Sequence, residues 1–381
     1  MRKGLCLLLL LAALFWLRPE ALADWTWAKR LTWTAGDSHF PAMAMDSSDT
    51  LHVVWEDDTP GNSEIYYKRS ANSGTTWSPA KRLTWTAGDS HYPAMGIDSS
   101  DAIHVFWEDD TPGGREIYYK QSQDRGDTWS ASRRLTWTPG FSHKPAASIG
   151  PDDTIHIAWY DYASGDSDIY YKQSQDGGTN WGASKRLTWT SAPSFAPAVG
   201  TTSSVHVVWE VEPPGPAEIY HKSSADGGET WSATRRITWT SGGSFMPVMA
   251  VDSSAQIHVA WYDNTPGNLE IYYKRSEDDG STWSSSQRLT WTGGGSRYIS
   301  LAIDSGNALH MAWYDDTPGA SEIYYKRSTD GGSTWSAAQR LTWTSDTSST
   351  PVLAIESNNA LHLIWEDNTP GNWEIYYKKG T

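Results

Sequence analysis

The sequence is nearly without cysteine. One is present in 381 residues, Cys6, and it lies inside an apolar run near the start. A small domain stapled by disulfides is therefore excluded, and an exported protein would have to rest on a large core instead. Long apolar stretches are equally scarce. Residues 5–17 form the single candidate, too short to cross a bilayer comfortably, and no second one follows, so no membrane insertion is expected. Basic residues are outnumbered, with 30 Lys and Arg against 45 Asp and Glu, for a net charge of −15. That balance argues against nucleic acid and against anionic membrane surfaces as partners. Helical periodicity is also missing from the repeating part of the chain.

Residues 1–23 combine Arg2 and Lys3, the apolar run, and Ala21-Leu22-Ala23 as a small-residue cleavage site. This is the pattern of a secretory signal peptide, cleaved after Ala23, and it predicts a periplasmic or extracellular protein. Removing Arg2, Lys3, Arg18 and Glu20 with the leader takes the net charge from −15 to −17.

What the sequence does have is repetition and aromatic residues, 24 Trp and 19 Tyr. Arg82-Leu83-Thr84-Trp85-Thr86 recurs in close variants opened by Arg30, Arg134, Arg186, Arg236, Arg288 and Arg340, at spacings of 52 or 50 residues. So constant a period marks a structural unit. The five residues read as a strand, with Leu83 and Trp85 on one face and Arg82, Thr84 and Thr86 on the other. Because the aromatics fall at fixed positions, most are expected in the core.

One unit contains four strand-like segments, near residues 92–98, 103–108, 116–120 and 134–138. Turn signals separate them, including Asp110-Thr111-Pro112-Gly113, where Pro fixes φ and Gly accepts a positive φ. Four short antiparallel strands repeated seven times predict an all-β, seven-bladed β-propeller as a single domain over residues 24–381. The last unit ends on its third strand, and residues 24–34 supply a fourth strand with no blade of its own. Trp25 precedes Arg30 by the same interval as Trp77 precedes Arg82. The N-terminal strand is thus expected to complete the last blade and close the ring, where an open solenoid would need caps.

Between the third and fourth strands lies S-x-D-x-G-x-T-W or a variant, as in Ser224-Ala225-Asp226-Gly227-Gly228-Glu229-Thr230-Trp231. The box aspartates are Asp124, Asp176, Asp226, Asp278 and Asp330, with Asn72 in the first copy. This resembles the Asp-box, or bacterial neuraminidase repeat, of the sialidase-like propellers. On physical grounds the box is a turn closure: Asp226 bonds backbone N–H groups, Gly228 takes the left-handed conformation and Trp231 buries itself.

The resemblance implies that ligand binds on the face opposite the boxes. That face carries His39, His91 and His143 on one set of links, and Glu56, Asp57, Glu108 and Asp109 on the other. The later equivalents of the three histidines are Phe195, Phe245, Arg297 and Ser349, and a residue that varies at a fixed position on a ligand face can set specificity. A sialidase of this kind uses three arginines on the substrate carboxylate, a tyrosine nucleophile assisted by a glutamate, and an acidic proton donor. The residue after each second-strand Trp is Glu or Tyr, but only Arg297 and Arg115 occupy this face, and Arg297 stands in Arg-Tyr-Ile rather than Arg-Ile-Pro. No catalytic residue is assigned. One acid per loop begins a turn; Glu56 and Asp57 are oxygen ligands of the kind calcium takes, or solvated charge. No other cofactor is expected. His52, His104, His156, His206, His258, His310 and His362 recur on second strands and are expected to bond between blades rather than ligate a metal. Trp373 takes a loop position that holds no aromatic in the other six units, which predicts an indole on or beside the ligand face.

These readings converge on an exported, monomeric, multivalent binding propeller for glycans or glycoconjugates, with up to seven near-equivalent sites. The alternatives are a sialidase-like exo-glycosidase and a protein-interaction scaffold.

Overall fold

The structure is a computed structural model, described for residues 23–381. The expected leader therefore lies outside the described residues apart from Ala23. Every element is a strand, and the strands form seven separate four-stranded antiparallel sheets. In the first blade the inner strand is Ser38–Met45, the second Leu51–Asp57, the third Glu64–Ser70 and the outer Lys81–Arg82. The seventh blade takes Ser348–Ile355, Leu361–Asp367 and Glu374–Gly380 from the C-terminal end and Lys29–Arg30 from the N-terminal end. Lys29 pairs with Tyr377 and Arg30 with Tyr376, so the ring closes as expected. Trp25 fills the box-tryptophan position of that blade. It packs edge-on against Tyr325 at 5.4 Å, as Trp77 does against Tyr377 at 5.3 Å.

The core lies between blades. Val54, Ile65, Tyr67 and Leu83 of the first blade pack on Ile103, Val105 and Trp107 of the second, and each junction repeats this. Second strands are buried along their length, and each carries a fully buried Trp. Burying one such indole contributes about 4–6 kcal/mol.

Two expectations need correcting. The outer strand is two residues long, not five, and its alternation does not hold. Thr84 turns inward and its hydroxyl accepts the Ile65 N–H at 2.8 Å, replacing a ladder bond, so Leu83 and Thr84 are both buried and Trp85 is thrown outward. In consequence Trp33, Trp85, Trp137, Trp189, Trp239, Trp291 and Trp343 are not core: each is 66–69 % exposed. Each lies near the guanidinium of its own blade's outer-strand Arg, at 5.5–6.0 Å, and near the ammonium of a Lys on the next blade's third strand, at 5.1–6.0 Å.

The recurring histidines bond within a blade rather than between blades, except His206, whose Nε2 lies 3.1 Å from Asp279 in the next blade's box. His52 Nδ1 is 2.8 Å from the Tyr67 hydroxyl and its Nε2 is 3.3 Å from Asp46. The tyrosine makes the link across, its hydroxyl donating to the Arg125 carbonyl in the next box at 3.1 Å. The fourth blade differs, with His221 in place of that tyrosine and its Nε2 3.2 Å from His206 Nδ1.

The boxes are turn closures in this structure. Asp226 accepts the Ser224 hydroxyl at 2.7 Å, the Thr230 N–H at 2.8 Å and the Thr230 hydroxyl at 2.5 Å. Asp124, Asp176, Asp278 and Asp330 repeat the bond to the turn N–H, and Asn72 substitutes with its amide oxygen. Gly228 has φ +92°, and a Cβ there would lie 2.3 Å from the Tyr171 hydroxyl, so both conformation and space require glycine.

Candidate functional site: the axial mouth

Antiparallel alternation puts the boxes on one face of the disc and the start of every inner strand on the other. There each inner strand is bulged. In the first blade His39 pairs with Glu56 but Ala42 pairs with Val54, which leaves one extra residue. That extra residue has positive φ in every blade: Phe40 47°, Tyr92 50°, Lys144 46°, Ala196 47°, Met246 48°, Tyr298 50° and Thr350 43°. Proline follows in six blades and Ile299 in the sixth, and a proline without N–H sits readily where the ladder is broken. A non-glycine residue held this way costs on the order of 1–3 kcal/mol. The seven strained residues and those that follow them line a cavity of about 380 Å³ on the ring axis.

The strain is held by carboxylates from the neighbouring blade. Glu366 accepts the Phe40 N–H at 2.9 Å, Glu56 that of Tyr92 at 2.8 Å, Glu108 that of Lys144 at 2.8 Å and Glu210 that of Met246 at 2.6 Å. These acids are buried, and burial chiefly raises the pKa of Glu210. In the other three blades the position holds Tyr160, Tyr262 or Tyr314. Tyr160 meets Phe195 edge-on at 5.3 Å and Tyr314 stacks on Tyr298 at 5.6 Å.

The predicted site residues divide into two groups. His39, His91, His143, Glu56, Glu108 and Trp373 come together at the mouth. His39 Nδ1 lies 3.3 Å from Glu366, His91 Nδ1 3.1 Å from Glu56 and His143 Nδ1 3.4 Å from Glu108. Burial works against a charged imidazole at His39 and His91, but the hydrogen bond and charge of the partner glutamate outweigh it, and both pKa values are raised. Trp373 is half-buried, its ring 5.3 Å from His39 and its backbone N–H donating to Asp37 at 2.8 Å. It does not approach Trp25, which bridges Gly380 on the opposite face.

Asp57 and Asp109 are in the second group. Both are buried, and both stabilise the loop: Asp57 accepts the Ser38 hydroxyl at 2.8 Å and the Thr59 N–H at 3.0 Å, and Asp109 repeats the pair. Together with Asp58, which accepts the Asp37 N–H at 2.6 Å, every acid of the first loop has an internal partner. The neighbouring Tyr314 hydroxyl is the main influence that raises the Arg297 pKa, and the guanidinium lies 3.9 Å from Asp316. Arg115 is bound to Glu108 at 2.7 Å. The outer-strand arginines bind the acid that opens the third strand at the rim, as Arg82 binds Glu64 at 2.5 Å and Arg186 binds Asp168 at 2.6 Å, far from the axis. Among the described residues no group of three or more His, Cys, Asp or Glu is arranged to hold a metal ion.

The residues that line the mouth lie one position past those singled out by the sequence pattern. Phe40, Tyr92, Lys144, Ala196, Met246, Tyr298 and Thr350 each directly follow a singled-out position. The available signal was a position that differs in nearly every unit while the proline after it is kept. Phe40 and Tyr92 are 4.4 Å apart, and the Lys144 ammonium lies 5.0 Å from the Tyr92 ring. His39, Phe40, Tyr92 and Lys144 thus form an arc of aromatic faces and nitrogen donors. The Tyr92 phenol, raised to about 12 mainly by burial, stays protonated as a donor.

The ring and its boxes define a propeller of the bacterial neuraminidase repeat class. The family model of the BNR repeat-like domain matches residues 64–311, most of the chain, and the protein belongs to that family. Among solved structures it is similar to a PL25 ulvan lyase bound to -[GlcA(1-4)Rha3S]-, with TM-score 0.65 and 12 % identity over 91 % of this chain and 95 % of that one. It is also similar to the intramolecular trans-sialidase of Ruminococcus gnavus, with TM-score 0.54 and 13 % identity over 92 % and 96 %. The GH93 α-L-arabinofuranosidase of Fusarium graminearum gives TM-score 0.55 and 15 % identity over 76 % and 92 %. At these identities the likeness is one of fold. No curated protein matches the sequence.

Proposed function

We propose that this protein is an exported carbohydrate-binding propeller that takes one sugar residue of a glycan into the axial mouth. The observation that carries the reading is the concentration of sequence difference at that place. Seven units alike nearly everywhere else present seven mostly different side chains to one cavity. Aromatic faces at Phe40 and Tyr92 suit the apolar side of a pyranose, and Lys144, His39 and the Tyr92 hydroxyl suit its polar groups. The named neighbours, a lyase, a trans-sialidase and an arabinofuranosidase, all act on carbohydrates, which supports a carbohydrate ligand here. The mouth is one asymmetric cavity, so this face takes a single sugar residue.

Hydrolysis of a sialoside is the second reading. Tyrosine and glutamate of the right types stand at the mouth, but the glutamates hold backbone N–H groups and the two arginines of this face lie beside acids of the chain, Arg115 beside Glu108 and Arg297 beside Asp316. Binding without catalysis is the better account. A glycan array with the secreted protein tests it, beside a fluorogenic sialoside assay. Selective glycan binding that falls at least ten-fold on Tyr92→Ala or Lys144→Glu is expected, with no turnover. Turnover abolished by Tyr314→Phe would replace the binding reading with the hydrolase. Partner capture with no glycan signal would favour a protein scaffold. N-terminal sequencing of exported protein should begin at Asp24.

A further inference from the structure

The seven outward-facing indoles remain unexplained by the mouth. Leaving an indole two-thirds in water forgoes several kcal/mol of burial, and the contact with flanking cations returns only about 0.5–1 kcal/mol at an exposed site. A ring that carries Arg and Lys and is still 67 % exposed, as Trp85 is, keeps one broad face open to solvent. Its surroundings are locally positive on an acidic protein. Arg82 is partly exposed while its partner Glu64 is fully buried. Lys120 donates to the Leu83 carbonyl at 2.5 Å, a neutral acceptor that leaves its charge uncancelled. Exposed aromatic surface rimmed by one sign of charge marks an interaction site. The junction of the sixth and seventh blades adds a second indole, since Trp27 is 95 % exposed and shares with Trp343 a cleft of about 270 Å³ that also touches Lys378 and Tyr376.

We infer that the rim is a second, multivalent binding surface, for an anionic polysaccharide bearing sulfate or carboxylate groups. A pyranose ring stacks on the open face of an indole, and its anionic substituent meets the neighbouring guanidinium. The sixth–seventh junction, with two indoles, is the tightest of the seven sites. One chain bridging several junctions gains affinity by avidity, although each contact is modest. This surface does not depend on the mouth: either can fail without the other.

Native-gel affinity electrophoresis in dextran sulfate, with neutral dextran as the comparison, tests the inference. The wild-type protein is expected to be retarded by dextran sulfate with an apparent Kd at least ten-fold below that for dextran. The triple variant Trp85→Leu, Trp189→Leu, Trp291→Leu keeps apolar contact with the Arg and Lys stems and should fold, as circular dichroism and Tm would check. It should lose at least ten-fold in affinity while keeping the glycan-array profile of the mouth. Trp27→Ala alone should lose about three-fold. Equal retardation by both polymers, or undiminished retardation of the folded triple variant, would overturn the inference. So would a sedimentation coefficient that drops in the triple variant, because the indoles would then be packing copies of this chain together.

Discussion

The rim and the axial mouth are made by the same seven units and have opposite characters. At the rim the Trp, Arg and Lys are the same in all seven blades, with the guanidinium at 5.5–6.0 Å and the ammonium at 5.1–6.0 Å from the ring. At the mouth the backbone repeats as faithfully, with φ between 43° and 50° at each strained residue, while the side chains are Phe, Tyr, Lys, Ala, Met, Tyr and Thr. Repetition of a backbone therefore does not imply repetition of a site. Where sites face outward they stay separate and can add; where they converge on an axis, differences between units combine into one asymmetric cavity. A propeller can thus be multivalent at its edge and selective at its centre.

Breaking the repetition itself should have the largest effect. Removing residues 24–34 takes away the seventh outer strand, the Leu31 that packs in the closing core, and the Trp25 that packs on Tyr325. It also strips Glu374 of its Arg30 partner. Loss of Leu31 burial alone is worth about 1.5–3 kcal/mol, and the exposed edge invites association. A fall in Tm of 10 °C or more, with oligomers in gel filtration, is expected. A truncated monomer with unchanged Tm would show that the ring does not depend on this strand.

Acid should separate the two regions by sign. The scaffold histidines have depressed pKa values, chiefly through burial: His156 about 4, His362 about 4 and His221 about 3. A histidine whose folded pKa lies below its unfolded value of about 6.5 contributes stability above that value, and loses it as pH falls. At pH 5 one strongly depressed group costs about 2 kcal/mol. His39 and His91 are raised, so their contribution is present below pH 6.5 and is lost as pH rises through their folded values. Tm should drop steeply between pH 6.5 and 4 as scaffold groups outnumber mouth groups. His221→Tyr, which restores the residue of the other blades, should reduce that drop by a degree or more. A Tm profile flat from pH 7 to 4 would contradict the assignment.

Much of this was legible in the chain, for reasons that name its limits. Blade number, ring closure and the box turns follow from spacing and from residues with one local role, such as Asp226 and Gly228. Two-residue alternation puts Trp85 with Leu83 on the inner face, but it ends at Arg82, where the Thr84 hydroxyl substitutes for the ladder. The tie between Glu56 and the Tyr92 N–H could not be read, since it joins residues of two blades that only the closed ring brings together. Asp57 looked free because its partner, Ser38, lies 19 positions away on another strand.

The smallest effect expected is the most diagnostic of the mouth. Thr350 is β-branched and sits at φ 43°, a conformation that such residues rarely adopt. Its hydroxyl is buried without a partner. Nothing in the scaffold calls for threonine there, and glycine would accept the same φ without steric cost. Thr350→Gly should therefore raise stability, or leave it unchanged, by up to about 1 kcal/mol after the entropy of the more flexible unfolded chain is set against the relieved strain. Urea unfolding measures this directly. If the residue is held in strain because the mouth uses it, the same substitution should weaken glycan binding two- to five-fold on the array. A variant destabilised by 2 kcal/mol or more would mean that Thr350 packs for stability. A variant stabilised with binding unchanged would confine the ligand to the arc of His39, Phe40, Tyr92 and Lys144.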